Sequence, residues 1–276
     1  MIKIGEYQTL DIIRKADFGV YVGDGEAQVL LPAKQVPAGA EIGDSIEVFI
    51  YRDSSDRLIA TVNKPFITLG QIATLTVSQV TGVGAFLEWG LEKDLLLPYK
   101  EQTIKVKVGE KYPVALYIDK SNRLCATMKI YKYLSDEAPY VEDDEVAGTV
   151  YNINPEYGVF VAVDNKYHGL IQQKEVIREY KVGDKITGRV VKVRNDGKID
   201  IAVRQKAYMQ IEENAEKIYS KMKELGGSLP YTDKASPERI KQDFSMSKND
   251  FKKAIGRLLK EKRVFIGENS INLTDK

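Results

Sequence analysis

A single pattern written three times between Gly5 and Arg204 limits what this chain can fold into more than any other feature. The copies read Asp17-Phe18-Gly19-Val20-Tyr21-Val22, Gly82-Val83-Gly84-Ala85-Phe86-Leu87 and Glu156-Tyr157-Gly158-Val159-Phe160-Val161. Each leads to an apolar pair (Leu30-Leu31, Leu96-Leu97, Leu170-Ile171) and then to a Gly-Asp or Gly-Glu pair at Gly43-Asp44, Gly109-Glu110 and Gly183-Asp184. Each closes on a last apolar run: Leu58-Ile59-Ala60, Leu124-Cys125-Ala126 or Ile199-Asp200-Ile201. The second apolar residue stands 12, 13 and 13 positions after the first Gly, and the second Gly follows it by 12 in every copy. Register held this tightly marks an array of one small unit.

Within a unit the apolar residues alternate, as at Ile46, Val48 and Ile50 or at Val114, Leu116 and Ile118. Turn-forming clusters such as Asp53-Ser54-Ser55-Asp56, Asp119-Lys120-Ser121-Asn122 and Asn195-Asp196-Gly197 separate the runs. Alternation bounded by turns predicts short antiparallel strands. About five of them in about sixty residues predict a small closed barrel, an arrangement that leaves no sheet edge exposed. The expected barrels span 1–65, 66–134 and 148–205. Between the last two, residues 135–147 hold six acidic residues, no basic one and a proline, which predicts an interdomain linker or, alternatively, a short docked helix.

After Gln205 the period changes. Ile211, Ala215, Ile218, Met222 and Leu225 form one helical stripe that Gly226-Gly227 ends. Ser236-Pro237 starts a second helix carrying Ile240 and Phe244 inward. Ser247 and Asp250 form a capping pair at the head of a third, with Met246 stapled to Phe251 and with Phe251, Ile255, Leu258 and Leu259 as its buried face. Val264-Phe265-Ile266 and Ile271-Asn272-Leu273 then read as a hairpin. Residues 206–276 thus have the outline of a winged helix. The fold class is multidomain and mainly β, with a C-terminal α+β domain.

Composition removes several functions. A single histidine, His168, and a single cysteine, Cys125, leave almost no material for a metal site or a nucleophile–base pair. Cys125 lies in an apolar strand pattern and reads as a small core residue in a reducing cytoplasm. There is no phosphate loop, so neither a cofactor nor enzymatic activity is expected. The dense carboxylates at 142–145 are better explained as solvated linker than as a hydrolase or nuclease site. No run of about eighteen apolar residues predicts a membrane span. The net charge of +1 divides unevenly: −3 over 1–65, +3 over 66–134, −6 over 135–147, +3 over 148–205 and +4 over 206–276. These values do not suit a strong duplex-DNA binder but permit a binder that gains affinity by stacking.

The aromatic-Gly-x-aromatic motif carries the functional signal. Tyr157 and Phe160 would lie on opposite faces of a regular strand. A bulge or a tight bend at Gly158 would bring both rings to one surface, beside Lys198, as a stacking platform for unpaired bases. The other reading, that the rings plug the barrel core, stands beside it.

Gly148-Thr149-Val150, Tyr157-Gly158-Val159-Phe160-Val161, His168-Gly169-Leu170-Ile171 and Val182-Gly183-Asp184 together resemble an S1 RNA-binding domain, an OB-fold barrel. The first two repeats match the same outline more loosely. Three such barrels before a winged helix, with the run Leu229-Pro230-Tyr231-Thr232-Asp233-Lys234-Ala235-Ser236-Pro237-Glu238, are similar to the conserved virulence factor B family of Gram-positive bacteria. That resemblance implies a non-catalytic RNA-binding regulator. It also implies site positions: two aromatics around the glycine, a histidine ending the next strand, and an Asp and Arg flanking the last turn. In the third repeat these are Tyr157, Phe160, Gln172, Arg194 and Lys198, with His168 joining them from the motif. In the first they are Phe18, Tyr21, Pro32, Asp53 and Arg57; in the second, Val83, Phe86, Pro98, Asp119 and Arg123. The second repeat lacks an aromatic, and Pro32 and Pro98 donate no hydrogen bond.

On the third helix of the winged unit, Asn249, Lys253, Arg257 and Lys260 form a stripe opposite the apolar face. Such a stripe suits either a helix approaching phosphates or a merely solvated surface. The expected partner is single-stranded RNA, with DNA possible through the winged helix and a protein-binding scaffold as the alternative.

Overall fold

A computed structural model of the chain describes residues 1–176, 178–203 and 207–274, the side chains of 207–210 excepted. The described chain divides into two compact units that part after Val203. The boundary expected at 205/206 lies outside the described residues.

The first unit holds three five-stranded sheets. The first contains β1 (Tyr7–Ala16), β2 (Gly19–Gly23), β3 (Gln28–Pro32), β4 (Ser45–Arg52) and β5 (Leu58–Thr61). The second contains β6 (Ile72–Thr81), β7 (Gly84–Glu88), β8 (Leu95–Pro98), β9 (Lys111–Ile118) and β10 (Leu124–Thr127). The third contains β11 (Glu145–Asn154), β12 (Gly158–Val163), β13 (Tyr167–Gln172), β14 (Lys185–Val193) and β15 (Ile199–Ala202). The first and third close, in the order β1-β2-β3-β5-β4 and its equivalent, through a parallel pairing of the third and fifth strands (Leu30 beside Ile59, Gly169 beside Ile199).

The second repeat departs from the expected closed barrel. Its order is β10-β9-β6-β7-β8, and among the described residues no ladder joins β8 to β10. A cavity of about 220 Å³ lies at that seam, lined by Leu95, Leu96, Leu124 and Cys125 from the two strands and by Tyr51 and Arg52 of the first repeat. Side chains from the neighbouring repeat thus approach the seam where backbone pairing would have closed the sheet.

The repeated glycine has one physical cause. Gly19, Gly84 and Gly158 have φ of +148°, +151° and +119°. A Cβ there would stand 2.1, 2.4 and 2.1 Å from the carbonyl oxygens of Leu31, Leu97 and Ile171 on the adjacent strand. Only glycine allows that approach. Of the bulge or tight bend expected at Gly158, the bulge falls on the opposite strand: the register slips between Val150 and Asn152 of β11, and likewise between Ile12 and Arg14 and between Val77 and Gln79.

The segment expected to be a linker is structured at both ends. Ser135 bridges Tyr167, Ala138 and Tyr140 pack against the third barrel's core, and β11 already begins at Glu145. Apolar and aromatic side chains interleaved with the carboxylates hold this stretch to the barrel.

The second unit contains α1 (Ala207–Glu224), β16 (Ser228–Leu229), α2 (Pro237–Phe244), α3 (Lys248–Lys260), β17 (Val264–Ile266) and β18 (Ile271–Leu273). Gly226 takes a left-handed φ of +78°, and the Gly227 amide returns to the Met222 carbonyl at 2.8 Å, which ends α1 as its sequence predicts. Ser236 and Ser247 cap α2 and α3 by accepting from the Arg239 and Asp250 amides. Phe244, Met246, Phe251, Ile255 and Leu258 share one core. Leu225 and Leu259, expected inward, are exposed: α1 stops before the first, and Ala254, Ile255 and Leu258 already fill the inner face of α3. β16 adds a third strand to the expected hairpin.

Candidate nucleic-acid interface

In the third repeat, alternation sorts β12, β13 and β15 into two faces. Val159, Val161, Val163, Ile171, Ile199 and Ile201 point into the barrel core. Phe160, Ala162, His168, Leu170, Gln172 and Asp200 take the outer face, where nucleic acid would have to approach. Tyr157 precedes β12 in a turn built by Asn154, whose Oδ1 accepts from the Glu156 and Tyr157 amides at 2.8 and 3.1 Å. Its ring is 56% exposed.

The two aromatics of this repeat do not share an environment. Phe160 is half-buried against a cluster of Ile72, Ala115, Ile130, Leu134, Tyr151 and Ala162, with its ring 6.1 Å from that of Tyr151. That cluster joins the second repeat to the third, so Phe160 serves an internal junction at one edge of the face. The same junction covers His168. Its ring is buried at 4.4 Å from the Tyr131 ring, with Nε2 3.6 Å from Asp136. Burial pushes the imidazole below its ordinary value, against an opposing pull from Asp136.

Gln172 and Arg194 converge on a residue the sequence reading passed over. Buried Asp200 accepts from Gln172 Nε2 at 2.6 Å and from Arg194 Nε and Nη2 at 2.9 and 2.5 Å. Both Arg194 nitrogens donate to Oδ1 and Gln172 to Oδ2, so the carboxylate holds the guanidinium and the amide together while the Arg194 side chain stays partly exposed. The available signal was register: Asp200 stands beside Leu170 as the apolar Ile59 stands beside Leu30. Lys198 lies 3.1 Å from Asp196, 3.6 Å from Asp136 and 5.7 Å from the centre of the exposed Tyr131 ring. The Tyr131 hydroxyl and Asp196 hold its ammonium well above the usual lysine range.

The first repeat keeps its rings together. Phe18, 59% exposed, meets Tyr21 edge-to-face at 6.5 Å. The Arg14 guanidinium stacks 3.5 Å over the Tyr21 ring, a cation–π contact that the motif did not reveal. Arg57 pairs with Asp53 at 2.8 Å. The second repeat uses the equivalent residues differently. Asp119 receives the Ser121 and Arg123 amides, while the Arg123 side chain crosses to Asp56 of the first repeat at 3.0 Å. Phe86 lines the seam cavity with Trp89 and Arg123.

In the winged unit, Asn249, Lys253 and Lys260 are exposed on α3. Arg257 is not presented with them. It is half-buried between Glu212 at 3.1 Å and Glu261 at 2.9 Å. Two carboxylates therefore neutralise the centre of the expected cationic stripe.

Comparison with known proteins matches the chain in four segments. Residues 4–63 and 69–129 match the S1 domain family. Residues 131–205 match the second domain of virulence regulatory factor CvfB, and 216–273 match the CvfB-like winged helix domain. The S1 description thus attaches to the two repeats with the looser motif, while the third matches a more specialised description. The crystal structure of a multidomain protein with nucleic acid binding domains from Streptococcus pneumoniae covers 98% of both chains, with a TM-score of 0.54 and 23% identity, and shares the fold. A protein of Bacillus subtilis (strain 168), named uncharacterized protein YitL, is 32% identical over 95% of this chain and 90% of its own length. Conserved virulence factor B of Staphylococcus saprophyticus is 30% identical over 86% of this chain and 82% of its own. With the matched domains in this order and these relatives in agreement, the chain belongs to the conserved virulence factor B family.

Proposed function

We propose that this protein is a non-catalytic regulator that binds single-stranded RNA, with its principal contacts on the third repeat and the winged helix. The observation that carries the reading is the outer face of the third repeat. There an exposed ring, Tyr157, precedes β12, and the Arg194 and Lys198 cations lie in the turn between β14 and β15. Flat rings stack on unpaired bases, and fixed cations beside them neutralise the phosphates that follow. The charge of +4 on 206–276 supports placing contacts on the winged helix. The names of the relatives, virulence factor B and a protein with nucleic acid binding domains, support a regulatory role on nucleic acid. RNA is favoured over duplex DNA because a duplex hides its bases from the rings.

The test is competition between an unstructured RNA and a duplex DNA of equal length for the full chain, across a salt series. RNA should win, and affinity should fall as salt rises. Tyr157→Ala should weaken RNA binding by about 1–3 kcal/mol while leaving the unfolding midpoint unchanged. Preference for the duplex would move the function to the winged helix and sink the RNA reading.

A further inference from the structure

The second repeat breaks the motif at its first aromatic position, where Val83 stands 63% exposed in place of Phe18 or Tyr157. We propose that Tyr99 supplies the missing ring, and that the second repeat thereby holds its own subsite for an unpaired nucleobase of single-stranded RNA. The proposal rests on the RNA-binding reading above.

Backbone register carries it. Gly19 pairs with Pro32, Gly84 with Pro98 and Gly158 with Gln172, so residues 33, 99 and 173 are structurally equivalent. The preceding residue has the same conformation in all three repeats: φ and ψ are −60° and 145° at Pro32, −60° and 149° at Pro98, and −59° and 148° at Gln172. In the first and third repeats the next amide donates to the carbonyl of the exposed aromatic, Ala33 to Phe18 at 3.0 Å and Gln173 to Tyr157 at 3.1 Å. The backbone of position 33 or 173 is therefore bonded to the backbone of the aromatic residue in its own repeat. The second repeat exchanges the pair. A small residue, Val83, takes the aromatic position, and Tyr99 takes the one held elsewhere by Ala33 or Gln173.

The ring is also held in place. The Tyr99 hydroxyl donates to the Thr81 carbonyl at 2.6 Å, yet the side chain is 50% exposed. That bond ties it to the turn between β6 and β7, the same turn that bears Phe18 in the first repeat and Tyr157 in the third. A ring anchored at its far end has already lost its rotamer freedom, so a base stacking on it pays little further ordering entropy. Lys100, exposed and next in sequence, places a cation within reach of the adjoining phosphate. The repeat that the motif marks as defective thus presents a ring at the equivalent place.

The test uses the full chain and a fluorescein-labelled oligouridylate long enough to cross several barrels, compared for wild type, Tyr99→Ala, Tyr99→Phe and Tyr157→Ala by anisotropy. Tyr99→Ala should weaken binding about fivefold or more, the lower end of one lost base stack. Tyr99→Phe keeps the ring and should bind within about twofold of wild type. Irradiating a 5-iodouridine oligomer on the wild-type protein should crosslink a peptide containing Tyr99, a readout independent of any variant's folding. If Tyr157→Ala loses affinity while Tyr99→Ala binds as wild type, the subsite is refuted and the RNA-binding reading stands. Equal losses for Tyr99→Phe and Tyr99→Ala also refute it, because the hydroxyl tether rather than the ring would then matter. No binding by the wild type would overturn both.

Discussion

Tyr157 and Phe160 occupy the same motif, yet one faces solvent and the other packs into the junction between two repeats. Nothing local separates them. What differs is the surface laid against β12, which is supplied by Ile72, Ala115, Ile130 and Leu134 far away in sequence. His168 follows the same logic. It is legible as part of an S1-like strand, but it is buried beneath Tyr131 and beside Asp136, and Lys198 and Asp196 also face it. Its folded value lies below the ordinary 6.5, so below that pH the unfolded chain binds more protons than the folded one, and stability falls as the pH drops through 6.5. Thermal unfolding at about pH 7.5 and about pH 5.5 should show a larger loss for wild type than for His168→Gln, which has no proton to gain there. Equal losses would mean that His168 is not held neutral by its burial.

At the scale of elements, the glycine spacing was readable because the constraint is local and steric. A strand that brings its first residue against the neighbouring carbonyl at a left-handed φ admits only glycine, whatever else surrounds it. Gly158→Ala should cost about 2 kcal/mol or more, since it combines an unfavourable φ with a Cβ 2.1 Å from the Ile171 oxygen. Denaturant unfolding followed by far-UV circular dichroism measures this, and a midpoint equal to wild type would contradict the geometry. The helix caps at Ser236 and Ser247 were equally legible, because a hydroxyl meeting an amide three residues on is a short-range event. The bulges at Ile13, Ser78 and Tyr151 were not legible. They lie on the strand opposite the glycine, and the partner's register decides them.

Across the three-repeat unit the repeats share cores as well as a pattern. Phe49 and Tyr51 of the first repeat pack edge-on against Trp89 of the second, with ring centres 6.0 and 6.3 Å apart, inside one cluster. Trp89 is the only tryptophan in the sequence, so its emission reports that junction alone. Phe49→Ala removes a fully buried ring and should cost about 3–5 kcal/mol. It should also shift Trp89 emission to the red under native conditions, although the two residues belong to different repeats. An unchanged spectrum in the folded variant would show that the junction does not form as described. The same coupling explains why Arg57 and Arg123, equivalent in sequence, find different carboxylates: Arg123 has Asp56 of the preceding repeat within reach.

The sequence by itself determined the number of repeats, their strands, the left-handed glycines, the helix caps and the family. Each of these depends on the period of apolar residues or on contacts within a few positions, and both survive in a linear reading. Tertiary structure alone decided which aromatics remain exposed, that Asp200 gathers Gln172 and Arg194, that the second sheet stays open at β8 and β10, and that the Tyr99 hydroxyl reaches the Thr81 carbonyl. These outcomes depend on which surfaces meet across dozens of residues. A side chain's exposure belongs to the pair of surfaces that bury it, and a repeated pattern specifies only one of the two.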